Sequence, residues 1–585
     1  MAIIPVVVKH AGKRYDVELD TSSTGEIFKF QMYSLTGVEP ERQKIIVKGG
    51  QLKDDTDLSK IGAKPGQTFM MMGTPSGDGA VTFEKPKDTP KFVEDMTEAE
   101  AAKAEGAIPA GLQNLGNTCY LNSTLQTLRS VPELQDALTK YKAPISGGPS
   151  GILNQYTTLS GPSTDLTACL RELYKQMSET QEGFPPMLFL NALRTTFPRF
   201  AERSKSGNEY AQQDAEEAWT EILSQLRQKL KTEGVSTGPD GKKEEVSFID
   251  KYLAGRFETA LQCDEPAAAE AGEEPVKSED VFLKLDCHIS KDTNHLKDGI
   301  MAALEEKLEK KSPALDRDAV YTKKSRVSRL PKYLTVHFVR FFWKREAQKK
   351  AKIMRKVTFP AELDCVEFCT ETLRKQLIPV RDKVREVRKD EEDMERARKR
   401  QKIAHKQEED RKADALAKGE STTAPAVSEP MEKRTDGKKK DDKKSDGDTE
   451  MVDAVYKTDA EYDAERATAT LAAKRELYAL IDPELAKDEG ANKSGVYELR
   501  GVVTHQGASA DSGHYTSYVK KQGRLDSKTG KRGPEDGKWW WFNDDKVSEV
   551  DGDKIESLSG GGESHSALIL LYRAIELPTE ANLKE

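Results

Sequence analysis

A cysteine in the segment 111–128, GLQNLGNTCYLNSTLQTL, lies where a helix is expected to begin. Gly116 and Asn117 indicate a tight loop, and after Cys119 the leucines recur at helical spacing. At a helix start, backbone N–H groups and the positive end of the helix dipole favour the thiolate, the nucleophilic form of cysteine. A cysteine alone is more often a small buried apolar residue. Cys119 is therefore predicted to be a nucleophile only if a base lies nearby.

The segment 502–519, VVTHQGASADSGHYTSYV, offers that base. His514 follows a Gly/Ser-rich loop and precedes an alternating run, so it should lie at the start of a strand with its imidazole facing a cleft. Downstream, WWWFNDDKV (539–547) places Asn543 and Asp544 directly after an aromatic strand. Either side chain could accept a hydrogen bond from the second ring nitrogen of His514 and hold its tautomer. These residues predict a Cys–His pair with a third member that the sequence leaves open.

Residues 1–73 have the pattern of a small module of strands around one helix. The predicted elements are, in order, strands at 6–10 and 15–19, a helix ending at Gly37, and strands at 45–47 and 69–72. A capping-box spacing at 23–26 predicts the start of the helix, and Ile27, Phe30 and Leu35 give its apolar face.

The order of these elements and the sequence KIIVKGGQLKDDTDL (44–58) resemble ubiquitin, so a β-grasp ubiquitin-like domain is predicted for 1–73. Ile46 falls where ubiquitin has the centre of its apolar recognition patch. If Ile46 is exposed, the resemblance implies a docking face, and core packing is the alternative for a strand isoleucine. After Met72 there is no terminal Gly-Gly tail, which implies a domain that binds and is not conjugated.

Composition divides the rest of the chain. Residues 74–105, rich in Pro, Gly, Thr and charge, predict a flexible linker. A second domain is expected at 106–576, followed by a tail at 577–585. Within it, 381–450 has 41 charged side chains among 70 and no Phe, Tyr or Trp, so it cannot bury enough apolar surface to offset its ordering entropy. We expect a disordered insertion there, or one that forms an isolated charged helix.

The charge balance excludes some partners. The chain has 92 Lys and Arg against 100 Asp and Glu, a net charge of −8, which gives no broad basic field for nucleic acid. No apolar run approaches the ~18 residues of a membrane span, and signal-peptide features are absent. Six scattered cysteines fit a reducing compartment. We expect a cytoplasmic protein without nucleic-acid or membrane partners; the basic cluster at 396–402 could add a nuclear signal or form a solvated helix face.

The segments around Cys119, His514 and Asn543 resemble the signature boxes of the ubiquitin-specific proteases, which are papain-like deubiquitinating enzymes. Two further segments are similar to that family, YAQQDAEEAW at 210–219 and SRLPKYLTVHFVRF at 328–341. The resemblance covers nearly everything except the charged insertion. Together with the ubiquitin-like domain and a near-terminal LSGGG, it is strongest to the proteasome-associated members of the family.

This resemblance implies an α+β fold, with the β-grasp domain followed by a papain-like catalytic domain of fingers, palm and thumb. It implies that Cys119 is the nucleophile and His514 the general base. Asn543 matches the position that orients the histidine, but many members have Asp there, so the role is divided between Asn543 and Asp544. Asn114 matches the side-chain oxyanion donor, with an ordinary loop residue as the alternative.

Weaker matches concern substrate and metal. Asp214 and Glu217 match residues that would bind the basic tail of ubiquitin, or they form a solvated helix face. His505 could line the cleft or satisfy the loop backbone. Many family members hold a structural zinc with two CxxC pairs, whereas this sequence has only one CxxxC, from Cys365 to Cys369. We expect neither a metal nor another cofactor.

The reaction that the resemblance implies is hydrolysis of the bond after the C-terminal glycine of ubiquitin, usually an isopeptide. The implied partners are ubiquitin, ubiquitinated proteins and the 26S proteasome regulatory particle, which a free, monomeric enzyme would contact through its ubiquitin-like domain. Loops near 342–352 and 508–512 are expected to restrain the free enzyme. Two alternatives stay open: a non-catalytic adaptor, and a protease for another ubiquitin-like modifier.

Overall fold

The computed structural model describes residues 3–47, 50–73, 97–102, 107–143, 165–204, 209–234, 245–344, 349–417, 459–509, 512–523, 533, 535–562 and 564–579. The predicted linker lies almost wholly outside the described residues, as do residues 418–450 of the predicted insertion. The chain divides into two compact units, Met1–Asp95 and Met96–Glu585. Among the described helices, none is both long and apolar enough to cross a bilayer.

The first unit is a five-stranded sheet with one helix packed on it. Its elements are β1 (Ile3–His10), β2 (Lys13–Asp20), α1 (Gly25–Thr36), β3 (Lys44–Val47), β4 (Gly50–Gln51) and β5 (Gln67–Met72). The strand order is β2-β1-β5-β3-β4, with β1 and β5 parallel. The buried residues between sheet and helix include Val8, Leu19, Phe28, Met32 and Phe69. This confirms the predicted β-grasp domain.

Helix α1 ends where the sequence predicts but starts differently. It begins at Gly25 after Thr24, whose side chain makes no capping hydrogen bond, so the predicted capping box does not form. Gly37 ends the helix in the left-handed conformation, which confirms the predicted stop. Gly25 also fixes how the helix is rotated, because a Cβ at this position would lie 2.1 Å from the carbonyl oxygen of Lys53.

The buried face of α1 is not the one predicted. Phe28 and Met32 pack into the core, whereas Ile27, Phe30 and Leu35 are 58%, 54% and 48% exposed. Both sides of the helix have apolar residues at helical spacing, so periodicity alone fits either face. The close approach at the start of the helix decides between them.

Replacing Gly25 by alanine should therefore lower the free energy of unfolding of the first unit by about 2 kcal/mol, because the new methyl group meets backbone that cannot rotate away. Calorimetry of the full chain would measure the effect. Ser34→Ala, at an exposed position of the same helix, should leave the unfolding temperature unchanged. A wild-type unfolding temperature for the Gly25→Ala variant would contradict this account of the packing.

The second unit combines a helical region with two larger sheets. Its helices are α2 (Glu98–Ala101), α3 (Cys119–Arg129), α4 (Pro132–Lys140), α5 (Leu166–Met177), α6 (Met187–Thr196), α7 (Ala215–Lys229), α8 (Phe248–Tyr252), α9 (Pro266–Glu270), α10 (Leu296–Leu304), α11 (Glu371–Ala417), α12 (Asp459–Leu480), α13 (Pro483–Lys487) and α14 (Asp553–Glu556). Its strands are β6 (Lys231–Glu233), β7 (Glu245–Ser247), β8 (Gly255–Cys263), β9 (Val276–Phe282), β10 (Leu285–His288), β11 (Glu305–Lys311), β12 (Asp318–Arg329), β13 (Tyr333–Val339), β14 (Phe341–Lys344), β15 (Lys349–Lys352), β16 (Glu362–Asp364), β17 (Val496–Ser509), β18 (Ser512–Lys520), β19 (Trp539–Asn543), β20 (Lys546–Val550) and β21 (Ser566–Ala574).

The main sheet places the C-terminal strands beside α3. Its principal order is β10-β13-β21-β17-β18-β19-β20, and a separate sheet runs β11-β12-β8-β9. All residues of α3 except the last are buried, and the helix packs against β18. Leu121 and Leu125 of α3 share a core with Trp219 of α7. This packing brings the start of α3 to the strand that contains His514.

The predicted charged insertion begins inside α11. The base of this helix is packed, because Val380 and Val384 contact Leu477 of α12. An ion pair of 2.6 Å between Lys383 and Glu476 lies beside this contact. A charged helix therefore forms as the sequence allows, but it is not isolated at its base.

Candidate active site

The loop before α3 is shaped by left-handed residues and by Asn114. Gly116 and Asn117 have φ angles of 93° and 53°. The side-chain oxygen of Asn114 accepts hydrogen bonds from the backbone N–H groups of Gly116 (3.1 Å) and Thr118 (3.2 Å). Helix α3 then begins at Cys119, as the sequence predicts. The loop thus places the sulfur at the N-terminal end of a helix, where the peptide dipoles favour negative charge.

Burial nevertheless keeps the Cys119 thiol protonated. The side chain is 3% exposed, and burial raises its pKa to about 11. The backbone N–H of Tyr515 opposes this rise, the carboxylate of Asp544 adds to it, and the N–H groups at the start of α3 oppose it again. Desolvation therefore outweighs the helix start. This corrects the expectation that the position alone favours the thiolate.

His514 and Asn543 come together across neighbouring strands. The Nε2 atom of His514 on β18 lies 2.6 Å from the Oδ1 atom of Asn543 at the end of β19. Because an amide oxygen only accepts hydrogen bonds, Nε2 has the proton and Nδ1 has the free lone pair. The backbone N–H of Tyr515, the next residue, is directed at the sulfur of Cys119. The thiol therefore lies against the strand of His514.

Asp544 makes different contacts from those of Asn543. Its carboxylate accepts hydrogen bonds from the Nδ2 groups of Asn114 (2.9 Å) and Asn122 (2.8 Å). Its carbonyl oxygen accepts the backbone N–H of Leu112 at 2.9 Å, and its φ is 53°. Asp544 thus joins the turn after β19 to the loop before α3. The two neighbouring side chains thus have different partners, since Asn543 contacts His514 and Asp544 contacts Asn114 and Asn122.

Asn122 is a site residue that the sequence analysis missed. It is 2% exposed and lies one turn after Cys119 on α3. A buried amide needs hydrogen-bond partners, and Asp544 supplies one of them. The signal was available in principle, because residues three apart on a helix share a face and the motif NTCYLNS places a polar residue at that spacing.

The acidic segment lies at the start of α7. Asp214 is the N-cap residue, and its side chain accepts the backbone N–H of Glu216 at 3.0 Å. Glu217 lies 4.0 Å from Arg199, which makes a closer 2.6 Å ion pair with Glu221. Both predicted substrate-binding carboxylates therefore already have partners within the protein.

The same segment is tied to the loop before α3. The Nδ2 group of Asn117 donates to the carbonyl oxygen of Tyr210 at 3.0 Å. The ring of Tyr210 lies under the guanidinium carbons of Arg194 (3.6 Å) and Arg203 (4.4 Å), two cation–π contacts. Positions 114–119 and 210–217 thus form one connected region.

His505 lies in the core beneath the loop that precedes His514. It is 0% exposed, and its ring is 4.6 Å from that of Tyr515 and 5.3 Å from that of Phe341. Burial, with further contributions from Lys352, His565 and His514, lowers its pKa to about 3. The Nζ group of Lys352 donates to its carbonyl oxygen at 2.6 Å. This corrects the expectation that His505 lines the cleft.

In the described residues, no group of three or more His, Cys, Asp or Glu side chains is arranged to hold a metal ion. Cys365 and Cys369 are buried, and the Cys369 thiol donates to the carbonyl oxygen of Cys365 at 3.3 Å.

At the end of the four-stranded sheet, Glu273 accepts hydrogen bonds from the hydroxyl groups of Ser312 and Tyr321. This cluster joins β12 to the segment before β9.

Ile46 of the first unit is exposed. It is 45% accessible on β3 and pairs with Met70 of β5. Met70 and Met72 are 56% and 50% exposed, so the three side chains form an apolar strip. The sequence analysis named Ile46 but missed both methionines, although the alternating burial of β5 follows from period-two geometry.

A buried thiol at a helix start, an imidazole on the facing strand and an amide at its far nitrogen are the functional groups of papain-like thiol hydrolases. Residues 110–572 match the family model described as ubiquitin carboxyl-terminal hydrolase, and residues 6–76 match the ubiquitin family. The chain belongs to the ubiquitin carboxyl-terminal hydrolase family and contains a ubiquitin-like domain. It is a cysteine-type deubiquitinating hydrolase.

Relatives match over nearly the full chain. Ubiquitin carboxyl-terminal hydrolase 6 of Schizosaccharomyces pombe is 41% identical, over 98% of this chain and 100% of the relative. Ubiquitin carboxyl-terminal hydrolase 7 of Arabidopsis thaliana is 38% identical, over 98% and 99%. Ubiquitin carboxyl-terminal hydrolase 14 of Caenorhabditis elegans is 30% identical, over 98% and 94%.

Proposed function

We propose that this hydrolase cleaves the isopeptide or peptide bond after the C-terminal glycine of ubiquitin, with Cys119 as nucleophile and His514 as general base. The 2.6 Å contact between His514 Nε2 and Asn543 Oδ1 is the observation on which these roles rest. It leaves Nδ1 free to accept the thiol proton while Asn543 holds the tautomer. Asn543 is the orienting residue, and Asp544 positions the loop.

In the first step, Nδ1 of His514 accepts the Cys119 proton and the sulfur adds to the carbonyl carbon. The backbone N–H of Cys119 and the Nδ2 group of Asn114 donate to the oxyanion. The imidazolium then gives its proton to the departing lysine amine as the C–N bond breaks, which leaves a thioester. Water, deprotonated by His514, adds to the thioester, and collapse releases the ubiquitin carboxylate and the thiol.

The acidic residues Asp214 and Glu217 would receive the basic tail of ubiquitin. Their position supports this, because the segment before α7 is hydrogen-bonded to the loop before α3 through Asn117 and Tyr210. Binding would replace their present partners, the α7 backbone and Arg199, with substrate cations. The substrates would then be ubiquitinated proteins, and the C-terminal tail of their ubiquitin would pass α7 to reach Cys119.

The enzyme would act at the 26S proteasome regulatory particle, with the ubiquitin-like domain as the docking element. The exposed strip of Ile46, Met70 and Met72 supports this, because exposed contiguous apolar side chains are typical of interaction surfaces. The free enzyme would be a monomer in the cytoplasm, with access to the nucleus.

In the free state, the hairpin β14–β15 would restrain activity. The hairpin joins the end of β17 through the pairing of Ala351 with Ser509, and Lys352 adds the buried hydrogen bond to His505. Phe342 and Trp343 at its outer end are 48% and 55% exposed. These exposed aromatic side chains support the proposal that the hairpin makes a contact that changes when the enzyme docks at the proteasome.

Hydrolysis of a fluorogenic C-terminal ubiquitin derivative, with and without purified proteasomes, tests the proposal. We expect slow hydrolysis by the free enzyme, an increase of at least tenfold with proteasomes, and no activity of Cys119→Ala in either condition. Equal rates in both conditions would contradict the restraint. Hydrolysis of another ubiquitin-like modifier in preference to ubiquitin would contradict the substrate assignment.

Ile46→Asp should remove most of the proteasome stimulation, because it places a charge in the apolar strip. The rate of the free enzyme should not change. Ile27→Asp, at a position on α1 that is even more exposed than Ile46, is the matched control and should keep the stimulation. Stimulation that falls equally in both variants would show that the strip is not the docking face.

A further inference from the structure

His565 lies beside His514, although neither the motif matches nor the proposed reaction uses it. It immediately precedes β21, and its ring centroid is 6.4 Å from that of His514 with an interplanar angle of 73°. This is the edge-to-face geometry that aromatic rings prefer. The contact joins the C-terminal strand to the predicted base.

Two buried threonines hold His565 in place. Its Nδ1 atom is 3.1 Å from the hydroxyl oxygen of Thr504 on β17. That hydroxyl is in turn 2.8 Å from the hydroxyl of Thr516 on β18, two residues after His514. Thr504 and Thr516 are 0% and 1% exposed. The ring of His565 is therefore fixed relative to the strand that contains His514.

Among the contacts of the described residues, the hydrogen bond to Asn543 restrains the ring of His514 at Nε2, on one side of the ring. Rotation of the ring would displace Nδ1, which lies on the opposite side of the ring from the bond to Asn543 and which the proposed reaction requires to face Cys119. A second ring placed against the imidazole restricts this motion. His565 is the neighbouring ring that makes an edge-to-face contact with it.

His565 can do this without opposing the charge that forms on His514. Burial, with His514, Lys352 and Lys554 acting in the same direction, lowers the pKa of His565 to about 4. The ring is therefore neutral near pH 7. When the thiol proton moves to His514, the imidazolium therefore lies beside a neutral ring and not beside a second cation.

We propose that His565 is a positioning residue that holds the imidazole of His514 in the orientation needed to accept the Cys119 proton. The proposal rests on the roles proposed above for these two residues. His565 touches neither substrate nor sulfur in this scheme; it acts through His514.

The test compares His565→Ala with His565→Phe in the full-length enzyme with proteasomes. The alanine variant removes the ring, while phenylalanine keeps the ring edge and loses only the hydrogen bond to Thr504. His288→Ala, at an exposed position of β10, is the control. The readout is kcat and KM for the ubiquitin derivative between pH 6 and pH 9.

We expect His565→Ala to lower kcat about tenfold at pH 6.5 and less at pH 8.5, with KM unchanged. Without the neighbouring ring, His514 accepts the Cys119 proton less readily, so the variant needs a higher pH than the wild type to form the thiolate. His565→Phe should stay within about threefold of the wild type. A rate reduced equally at every pH, or a phenylalanine variant as impaired as the alanine variant, would overturn the proposal.

The rate at which iodoacetamide alkylates Cys119 in the presence of proteasomes, across the same pH range, separates this proposal from the proposed function. If the wild-type enzyme fails to hydrolyse any ubiquitin derivative, the function is wrong, yet alkylation still reports the Cys119–His514 pair. An alkylation profile of His565→Ala that is shifted to higher pH supports the positioning role. A profile identical to the wild type overturns it.

Discussion

Cys119 of the free enzyme should react slowly with iodoacetamide at neutral pH. Burial raises the pKa of the thiol from its ordinary value of 9.0 to about 11. At pH 7 the thiolate fraction should therefore be about 100-fold below that of an unperturbed cysteine. The thiolate appears only as pH rises through the raised pKa, so the rate should increase about tenfold per unit from pH 7 to pH 10. Mass spectrometry of the alkylated peptide would measure it.

The partly exposed Cys263 provides a reference thiol within the same chain. Its alkylation should be much faster than that of Cys119 at pH 7.5, and docking at proteasomes should narrow the difference. A pH-independent rate for Cys119 below pH 8 would show that the thiolate–imidazolium pair already exists in the free enzyme. The burial argument would then be wrong.

Asp544→Ala should lower kcat by roughly 10² to 10³, although the carboxylate of Asp544 is hydrogen-bonded to Asn114 and Asn122 and not, within the described residues, to His514. Without Asp544, the Nδ2 group of Asn114 is no longer held in place by its 2.9 Å hydrogen bond and loses its position as oxyanion donor, and loss of one such donor costs about that factor. It also leaves the amide of Asn122 buried without its carboxylate partner. The steady-state rate with the ubiquitin derivative is the measurement.

A second measurement on the same variant should move in the opposite direction. The negative charge of Asp544 raises the pKa of Cys119, so its removal should accelerate alkylation while hydrolysis slows. Asp545→Ala, at the exposed neighbouring position, is the matched control and should change neither rate. Slower alkylation together with slower hydrolysis would indicate general damage to the site.

Asn114→Ala should lower kcat by a similar factor, and the double variant should be little worse than either single one. Residues that act through one hydrogen bond are not additive. Fully multiplicative losses would show that Asp544 acts independently of Asn114. That result would return Asp544 to the role of a second partner for His514.

The sequence alone was sufficient to predict which types of residue form the candidate site and in what order they occur along the chain. Cys119, His514 and the pair Asn543–Asp544 lie in motifs with little local freedom, and the helix start follows from leucine spacing. The motifs alone could not predict whether Asn543 or Asp544 contacts His514. It depends on where β19 ends and on the left-handed turn that follows, which direct adjacent side chains to different partners.

Other features depended on contacts distant in sequence. His565 is 51 residues from His514 in the chain and has no motif, so only the pairing of β21 with β17 brings the rings together. The state of the Cys119 thiol depended on burial by the facing strand, which a helix-start argument omits. On α1, apolar residues lie on both faces, so the sequence pattern does not decide which face is buried. The close approach of Gly25 to the backbone of Lys53 decides it.

Helix α11 has a hydrodynamic consequence. It spans 47 residues, about 70 Å at a rise of about 1.5 Å per residue, and its apolar packing against α12 is near its base. An extended helix of this length has more frictional drag than the same residues folded into a compact form. If the free enzyme is the monomer proposed above, of 65.2 kDa, it should elute early in gel filtration and sediment slowly, so that its elution volume alone would suggest a larger particle. Light scattering, which reports mass directly, is the appropriate measurement of its oligomeric state.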